Sequence, residues 1–179
     1  TDERFPIRRI FCCGRNYAEH AREFGRDPDV SPPFFFTKPA DAIVQNGESV
    51  AYPSLTNNFH FEGELVVAIG KSGVDLGEDE VMDYVYGYAV GNDLTRRDIQ
   101  MAAIKVGLPW DWGKAFDRSA VCGPIHKVED VGHVLKARLK LAVNGEVRQD
   151  TDVADMVWSV PKMLSFLSQA VRLEPGDLV

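Results

Sequence analysis

Runs of apolar residues, some continuous and some alternating, predict a chain that folds mainly as short strands. A buried strand typically appears as a short apolar or β-branched run that is bounded by glycine, proline or other turn-forming residues. Four segments before residue 91 fit this description: 7–13, 34–37, 62–69 and 86–90. The acidic stretch at residues 77–80 favours a turn or a short helix between the last two.

A hairpin further along the chain gives the clearest strand signal. Leu139, Leu141 and Val143 occupy every second position, which is the period of a half-buried strand. Asn144 and Gly145 then supply the two residues that adopt positive φ in a type I′ turn. We therefore predict two antiparallel strands joined at this turn.

Three segments carry helix signals. Residues 16–25 are predicted to form a helix that Asn16 caps. Thr95 and Asp98 have the spacing of a capping box for a second helix, which Gly107 would close. The third helix begins at a proline and is predicted to turn four side chains inward: Met163, Leu164, Phe166 and Leu167.

Strands outnumber helices and do not alternate strictly with them, so the pattern favours an α+β, β-rich fold over a doubly wound sheet. The composition fits one folded domain over residues 1–179. Hydrophobic residues make up 45% and charged residues 26%, which excludes a disordered or low-complexity chain. The net charge of −7 argues against DNA, RNA or an anionic membrane as the partner, so we expect a small molecule.

The cysteines and the lack of long apolar stretches indicate the cellular compartment of the protein. Cys12 and Cys13 are adjacent, which disfavours a disulfide between them, and the total of 3 cysteines is odd. No segment approaches the roughly 18 apolar residues that a membrane span needs, and residues 1–9 lack the apolar core of a signal peptide. The prediction is a protein of the reducing cytoplasm.

Two carboxylates, Glu62 and Glu64, lie at the start of a predicted strand. If this stretch is extended, the alternation of side chains places both on one face together with His60. Carboxylates this close repel each other unless a cation or a shared proton neutralises them, so the pair suggests a metal site. An edge strand with solvated carboxylates fits the spacing equally well. His60 is not expected to coordinate.

Asp93 strengthens the case for a metal, since it follows one predicted strand and precedes a predicted helix. Three carboxylates without a nearby cysteine or histidine pair suit a hard divalent ion such as Mg²⁺, Mn²⁺ or Ca²⁺, and they suit zinc poorly. An ordinary acidic residue at a helix N-terminus would also explain Asp93. The residues alone leave this choice open.

Other polar residues are candidates for holding a substrate or moving a proton. Arg97 and Gln100 are three residues apart and share a helix face, which an ordinary solvated face would also explain. Lys114 stands among aromatic residues, where a lysine either binds an anion or only extends to solvent. His20 and Glu23 could together activate a water molecule, although an exposed surface pair is the commoner arrangement.

Six motifs occur in an order that is typical of one family. The chain has no Walker loop or dinucleotide-binding glycine motif, and it lacks the GxSxG and HExxH signatures. The six motifs are FCCGRNY followed by His20, FFTKP, HFEGEL, GNDLTRRDIQ, GKAFD and VNGE. With them the chain resembles the fumarylacetoacetate hydrolase family, in particular its acylpyruvase and fumarylpyruvate hydrolase branch. The likeness runs from about residue 7 to the end.

The resemblance implies a rolled mixed sheet around the site, usually in a homodimer, and a bound Mg²⁺ or Mn²⁺ ion. Aromatic residues at positions 34–36, 110 and 112 agree with a dimer, because a core of this size does not easily bury them all. By position, the resemblance assigns metal ligands Glu62, Glu64 and Asp93, substrate-polarising residues Gln100 and Lys114, a water-activating dyad of His20 and Glu23, and substrate-side residues Arg97 and Lys38.

Relatives in this branch usually continue beyond the turn at residues 175–177 into a further strand and a Thr-Gly-Thr-Pro loop. This sequence ends at Val179. We therefore expect a catalytic domain without the usual C-terminal closing segment.

The predicted function is metal-dependent hydrolysis of a carbon–carbon bond in a 2,4-dioxo acid, which gives pyruvate and a carboxylic acid. Fumarylpyruvate is the favoured substrate on overall resemblance. The metal would stabilise the enolate that forms when the bond breaks. Two alternatives stay open: oxaloacetate decarboxylation or ketone–enol isomerisation on the same scaffold, and a catalytically silent protein that binds or assembles.

Overall fold

The computed structural model describes residues 3–17 and 32–179. Short strands dominate these residues, as the sequence predicts. The strands are β1 (Arg9–Cys13), β2 (Phe35–Lys38), β3 (Ile43–Gln45), β4 (Phe59–His60), β5 (Gly63–Ile69), β6 (Val85–Asp93), β7 (Thr95–Arg96), β8 (Ala120–Cys122), β9 (His126–Lys127), β10 (Arg138–Val143), β11 (Glu146–Asp152) and β12 (Asp177–Leu178). The helices are α1 (Arg97–Val106), α2 (Asp111–Lys114), α3 (Val128–Val131) and α4 (Val160–Ala170), with 3₁₀ turns at Ala40–Ala42, Val81–Tyr84 and Val153–Asp155.

An eight-stranded mixed sheet forms the centre of the molecule, in the order β2-β1-β12-β5-β6-β8-β3, and β9 also pairs with β6. The β1–β12 and β3–β8 pairs are parallel, and the remaining pairs are antiparallel. The remaining strands form two smaller sheets, β10–β11 and β4–β7. The curled sheet and its few short helices confirm the predicted β-rich α+β fold.

Apolar side chains fill both faces of the sheet. On one face, α4 packs its buried residues against β5 and β6, where Val67, Ile69 and Tyr88 point toward the helix. On the other face a smaller cluster includes Ala68 and Leu178. Because β5 is covered on both sides, it is an almost continuous apolar run rather than a strict alternation.

The predicted hairpin is confirmed. Strands β10 and β11 pair from Arg138 opposite Asp152 to Val143 opposite Glu146. Positive φ values of 51° at Asn144 and 82° at Gly145 produce the expected type I′ geometry. The acidic stretch at residues 77–80 is a turn, also as expected.

The capping box predicted at Thr95 and Asp98 is wrong, although the helix itself is present as α1. Thr95 pairs with His60 in the β4–β7 sheet, and its hydroxyl donates to the Asp93 carbonyl rather than capping α1. Asp98 instead accepts hydrogen bonds from the Thr56 hydroxyl and the Asn57 N–H. Thr95, which the spacing assigned to the helix cap, is therefore part of a short strand.

The ends of the helices agree better with the sequence. Gly107 closes α1 in the left-handed region at φ 71°, with Leu108 N–H donating to the Ala103 carbonyl. A proline stands in the first turn of α4, as predicted. Of the four α4 residues expected to face inward, three are buried, but Phe166 is 37% exposed and that expectation is wrong.

The first predicted helix lies mostly outside the described residues. Asn16, its expected cap, is described, and its side chain binds the backbone of Trp158 through both its amide oxygen (2.7 Å) and its amide nitrogen (2.9 Å). Among the described residues, no helix is long and apolar enough to cross a bilayer.

Candidate active site

The paired strands β5 and β6 bring the three predicted metal-binding carboxylates into one cavity. Gly63 lies opposite Asn92, and Glu64 lies opposite Gly91. Just before β5, the backbone of Glu62 is held at both ends. Its N–H donates to the Asn92 side chain (2.9 Å), and its carbonyl accepts from Asp93 N–H (2.8 Å). These bonds place Glu62 beside Asp93.

Lys114 reaches this cavity from the end of α2, which packs closely against α1. A Cβ atom at Gly113 would lie 2.9 Å from the Cβ of Gln100, so a larger residue there would force the two helices apart. The contact brings Lys114 and Gln100, which are 2% and 4% exposed, to the same cavity.

An ion-pair network occupies the centre of the site. Lys114 Nζ donates to Glu62 Oε2 at 2.6 Å and to Asp93 Oδ2 at 2.8 Å. Lys38 Nζ lies 2.7 Å from Asp93 Oδ1 and donates to the carbonyl oxygens of Leu94 and Lys114. Lys38 thus contacts one carboxylate and two backbone acceptors, which suits it to hold Asp93 in place.

The carboxylates of this cluster differ in how they are partnered. Asp93 Oδ1 is buried and lies 2.7 Å from the Lys38 ammonium group, so a cation neutralises it. Glu64, which lines the cavity, has neither an ion pair nor a hydrogen bond within residues 3–17 and 32–179. A carboxylate that faces a cavity without a donor is open to a cation or another partner.

Arg97 and Gln100 share a face of α1, as predicted, and Arg97 also connects Gln100 to the carboxylates. Its guanidinium donates to Gln100 Oε1 and to Glu62 Oε1, both at 2.5 Å. Because the Gln100 oxygen accepts from Arg97, the amide is oriented with its nitrogen as the remaining donor. Arg97 therefore orients two side chains of the site through direct bonds.

Burial and charge shift the pKa values of these groups in different directions. Burial raises the pKa of Glu64 to about 8, and the neighbouring Glu62 and Asp93 charges add to the effect. Burial also opposes the charge of Glu62, but Lys114 and Arg97 outweigh it and lower the pKa to about 2. For Lys114, burial is outweighed by Asp93 and Glu62, which raise its pKa above the ordinary value. Burial lowers the pKa of Lys38 despite the nearby Asp93.

A cavity of about 790 Å³ surrounds the cluster. It is lined by eight of the residues discussed for the site, namely Lys38, His60, Glu62, Glu64, Asp93, Arg97, Gln100 and Lys114. The predicted dyad of His20 and Glu23 lies outside the described residues. The cavity is large enough for a small organic acid of the predicted kind.

The described residues do not form a ready-made metal-binding arrangement. No group of three or more histidine, cysteine, aspartate or glutamate side chains is placed to hold an ion in residues 3–17 and 32–179. Glu62 and Asp93 instead face the Lys114 ammonium group. The donor chemistry nevertheless fits a hard divalent cation, because all three carboxylates line one cavity and supply oxygen, the ligand atom that such ions prefer.

Two positioning residues were not predicted as part of the site. Asn92 holds the Glu62 backbone, as described above, and its place beside Asp93 in the GNDLTRRDIQ motif is the signal that could have indicated it. Gln149 on β11 exchanges hydrogen bonds with both the N–H (2.6 Å) and the carbonyl (3.3 Å) of Gly63. Nothing in the local sequence pattern links Gln149 to the strand that carries Glu64.

The cysteines take no part in this chemistry. Burial raises the pKa of Cys13 to about 12 and that of Cys122 to about 11. Both thiols are therefore protonated at neutral pH and are poor nucleophiles.

The curled sheet and the buried lysine–carboxylate cluster together are the features by which the chain can be compared with known enzymes. The model of the fumarylacetoacetate (FAA) hydrolase C-terminal family matches residues 9–179. The chain belongs to this family, as the resemblance of its motifs implies.

Relatives within the family include enzymes with two different activities. A fumarylpyruvate hydrolase of a Ralstonia species is 42% identical over 153 residues, which cover 86% of this chain and 79% of the relative. The mitochondrial oxaloacetate tautomerase of Mus musculus is 41% identical over 170 residues, which cover 95% of this chain and 76% of the relative.

A solved structure shows the same fold at higher identity. The crystal structure of fumarylpyruvate hydrolase from Pseudomonas aeruginosa, in complex with Mn²⁺ and pyruvate, superposes with a TM-score of 0.97. It is 52% identical, and the match covers 100% of this chain and 78% of that chain.

Proposed function

We propose that this protein hydrolyses fumarylpyruvate or a closely related acylpyruvate to pyruvate and a carboxylic acid. The observation that carries the proposal is the buried cluster in which Lys114 lies between Glu62 and Asp93 within a cavity of about 790 Å³. Such a site suits an anionic substrate that must hold negative charge during reaction. The 52% identity to a fumarylpyruvate hydrolase that was crystallised with pyruvate supports the same activity.

We also propose that Glu62, Glu64 and Asp93 hold a divalent metal ion, Mg²⁺ or Mn²⁺. When bound, such an ion supplies Lewis-acid stabilisation of the enolate that is formed from the pyruvate half of the substrate. The Glu64 carboxylate, which has no partner among the described residues, lines the same cavity as Glu62 and Asp93 and supports this assignment. The Mn²⁺ in the Pseudomonas aeruginosa complex supports it independently.

The residues of the chain have separate roles in the proposed reaction. Lys114 and the Gln100 amide nitrogen donate to substrate oxygens, and Arg97 keeps that amide oriented. A water molecule attacks the carbonyl carbon on the acyl side, and His20, oriented by Glu23, takes its proton. The bond between that carbon and the neighbouring methylene carbon then breaks. Its electron pair stays on the pyruvate half as the enolate, which is protonated to pyruvate, while the acyl half leaves as a carboxylic acid.

Oxaloacetate tautomerisation is the second candidate, because relatives with that activity are about as similar as the Ralstonia hydrolase. Tautomerisation moves a proton between carbon and oxygen and needs no attacking water. Lys114 and Gln100 would serve both reactions, since both pass through an enolate or enol. The two candidates therefore differ in their need for the water-activating dyad.

The test measures both activities on one enzyme preparation loaded with Mn²⁺. Loss of fumarylpyruvate absorbance, with pyruvate measured as product, follows hydrolysis, and decay of the oxaloacetate enol absorbance follows tautomerisation. We expect His20→Ala to lower hydrolysis by about 10²–10⁴, the usual range for losing a general base, and to change tautomerisation much less. His126→Ala, which removes an exposed histidine of β9, is the matched control. Wild-type enzyme that releases no pyruvate contradicts the hydrolase proposal.

The homodimer implied by the resemblance stays a proposal. Trp112 and Leu108 are 70% and 61% exposed in the single chain, so both side chains are accessible to a second copy. Light scattering at micromolar concentration tests it, and a mass near 19.9 kDa would contradict a dimer.

A further inference from the structure

The β10–β11 hairpin is separate from the central sheet but packs on the strand that carries the candidate metal ligands. Its two strands pair with each other, and most of their side chains are exposed. Leu141 and Gln149 lie opposite each other across the hairpin and together contact Gly63 of β5. A Cβ atom on Gly63 would lie 3.3 Å from Gln149 Oε1 and 3.3 Å from Leu141 Cδ1. The hairpin therefore touches the residue that lies between Glu62 and Glu64.

At Gly63, the Gln149 side chain takes the place of a neighbouring strand. The N–H and the carbonyl of Gly63 both bond to the Gln149 amide, as described above. Further along the same edge of β5, the N–H and the carbonyl of Val67 bond to the backbone of Val179, at 2.8 and 2.9 Å. A primary amide carries a donor and an acceptor side by side, as a strand does. One edge of β5 is thus held by backbone at Val67 and by a side chain at Gly63.

An irregularity in the hairpin lies next to Gln149. Leu141 is opposite Gln149 and Ala142 is opposite Val147, which leaves Arg148 as an extra residue on β11. Bulges of this kind re-aim side chains and are frequent beside active sites. The direction of the Gln149 side chain is therefore set at a position where β11 departs from regular pairing.

The contact at Gly63 affects the two glutamates beside it. Glu62 and Glu64 are two residues apart in extended backbone and both line the cavity, so their separation depends on the backbone at Gly63. Glycine has no side chain that restricts its backbone angles. If Gln149 released Gly63, this segment would keep its pairing with β6 but lose its partner on the opposite edge.

We propose that Gln149 is a positioning residue of the metal site, which holds Glu62 and Glu64 at the spacing that a divalent ion requires. This inference rests on the proposed function, which assigns these carboxylates to Mg²⁺ or Mn²⁺. Groups that hold metal ligands in place without touching the ion typically contribute roughly 10- to 100-fold to metal affinity. The hairpin is then part of the site, although Gln149 itself does not bind the ion.

The test is calorimetric titration of Gln149→Met with Mn²⁺, at a temperature at which all proteins compared are folded. Methionine keeps the length of the side chain but removes both hydrogen bonds. We expect the dissociation constant of Mn²⁺ to rise by roughly 10- to 100-fold. Gln45→Met, at an exposed position of β3, is the matched control and should bind as the wild type does. Unchanged affinity in Gln149→Met would overturn the proposal.

Hydrogen exchange in the metal-free proteins separates positioning from a general loss of structure. The Gly63 N–H should exchange several-fold faster in Gln149→Met than in the wild type, because it loses its acceptor. The Val67 N–H, which donates to Val179, is the internal control and should keep its wild-type rate. Equal acceleration at both amides would show that the sheet has loosened as a whole and would overturn the positioning role.

A second variant serves if Gln149→Met does not fold. Gln149→Asn keeps the amide but is one methylene shorter, so it should also lose the contact with Gly63 and bind Mn²⁺ more weakly. Wild-type affinity in Gln149→Asn together with wild-type exchange of Val67 and faster exchange of Gly63 would contradict the proposal.

Failure of this inference can be told from failure of the proposed function. If the wild type binds Mn²⁺ and hydrolyses fumarylpyruvate, and Gln149→Met binds Mn²⁺ equally well, the role of Gln149 is overturned while the function stands. If the wild type binds no Mn²⁺, the proposed metal site fails and the positioning role fails with it.

Discussion

Two buried clusters of charge in this molecule differ in how completely their acceptors are used. Where β1 meets β12, the fully buried Asp177 carboxylate accepts from Arg9 through two guanidinium nitrogens, at 2.8 and 2.6 Å. Arg8 (3.4 Å) and the Glu174 N–H (2.9 Å) complete the set, so both oxygens have donors. This cluster joins the N-terminal strand to the last one and leaves no acceptor for a ligand.

The cluster in the cavity is built from the same residue types but has acceptors left over. Lys38 and Lys114 contact the two oxygens of Asp93, but Glu64 has neither an ion pair nor a hydrogen bond among the described residues. A carboxylate whose oxygens are all hydrogen-bonded holds a fold together, whereas one that faces a cavity without donors is open to a ligand. The difference indicates structure in the first cluster and binding in the second.

The largest effect is expected on turnover, from changing Glu64. Glu64→Gln keeps the shape of the side chain but removes a proposed metal ligand, and it breaks no ion pair. We expect fumarylpyruvate hydrolysis to fall by about 10³ or more, because metal Lewis-acid stabilisation supplies several kcal/mol to the transition state. Steady-state kinetics with saturating Mn²⁺ measures the loss. Glu78→Gln, at an exposed turn, is the control and should retain turnover. A Glu64→Gln enzyme with normal turnover would remove Glu64 from the site.

For Asp177 we expect a loss of stability with little change in turnover, the opposite of the result expected for Glu64. Asp177→Asn removes the buried charge that accepts from Arg9, whose own side chain is 31% exposed, so we expect a loss of about 1.5–3 kcal/mol of unfolding free energy, the value of hydrogen bonds to a charged group. Denaturant unfolding measures it, and the melting temperature should fall by roughly 3–12 °C for a chain of this size. Turnover per folded molecule should stay near wild type below the transition. A stable Asp177→Asn protein with lost activity would reverse the roles of the two clusters.

A smaller effect is expected from pH in the metal-stripped protein. Burial raises the pKa of Glu64 to about 8 from 4.5, so the folded state holds a proton that the unfolded chain has lost between these values. Stability should therefore be greatest below pH 4.5 as far as Glu64 is concerned, and should decline as the pH rises toward 8. Thermal unfolding at several pH values, with a chelator present, measures this. In Glu64→Gln the decline of stability with rising pH should be smaller than in the wild type. An identical slope in the two proteins would contradict the prediction.

The smallest effect is expected where an ion pair lies in water. Arg138 and Asp150 pair across the hairpin through a two-pronged contact, but both side chains are largely exposed. Asp150→Asn should shift the melting temperature by no more than about 2 °C, because solvent screens such pairs. Scanning calorimetry measures the melting temperatures of Asp150→Asn and Asp177→Asn side by side. A loss as large as that of Asp177→Asn would show that burial is not what separates the pairs.

Local patterns along the chain predicted most of the fold. The alternation of apolar residues and the turn residues were enough to predict the hairpin at Asn144. The glycine alone was enough to predict that α1 ends at Gly107. Thr95 was wrongly predicted because its pairing with His60 connects segments that are far apart in sequence. Phe166 was wrongly predicted because, at 100° per residue, it lies outside the helix face that Met163, Leu164 and Leu167 bury.

The candidate site was predicted mainly from the family motifs rather than from spacing. From spacing alone, Glu62, Glu64 and Asp93 could be either metal ligands or ordinary solvated acidic residues. The cross-strand pairing of β5 and β6 and the packing of Gly113 on Gln100 bring these groups together, and both are tertiary contacts. The motif placed Lys38 in the site, but only the structure shows that its ammonium group holds Asp93 and two backbone carbonyls.

Calorimetric titration with Mn²⁺ tests most directly whether the incompletely satisfied cluster is a metal site. Wild type, Glu64→Gln and Asp177→Asn are compared at a temperature at which all three are folded. The expected result is one Mn²⁺ bound per chain in the wild type and in Asp177→Asn, with binding lost in Glu64→Gln. Binding of Mn²⁺ to Glu64→Gln with wild-type affinity, or no binding to the wild type, would contradict the assignment.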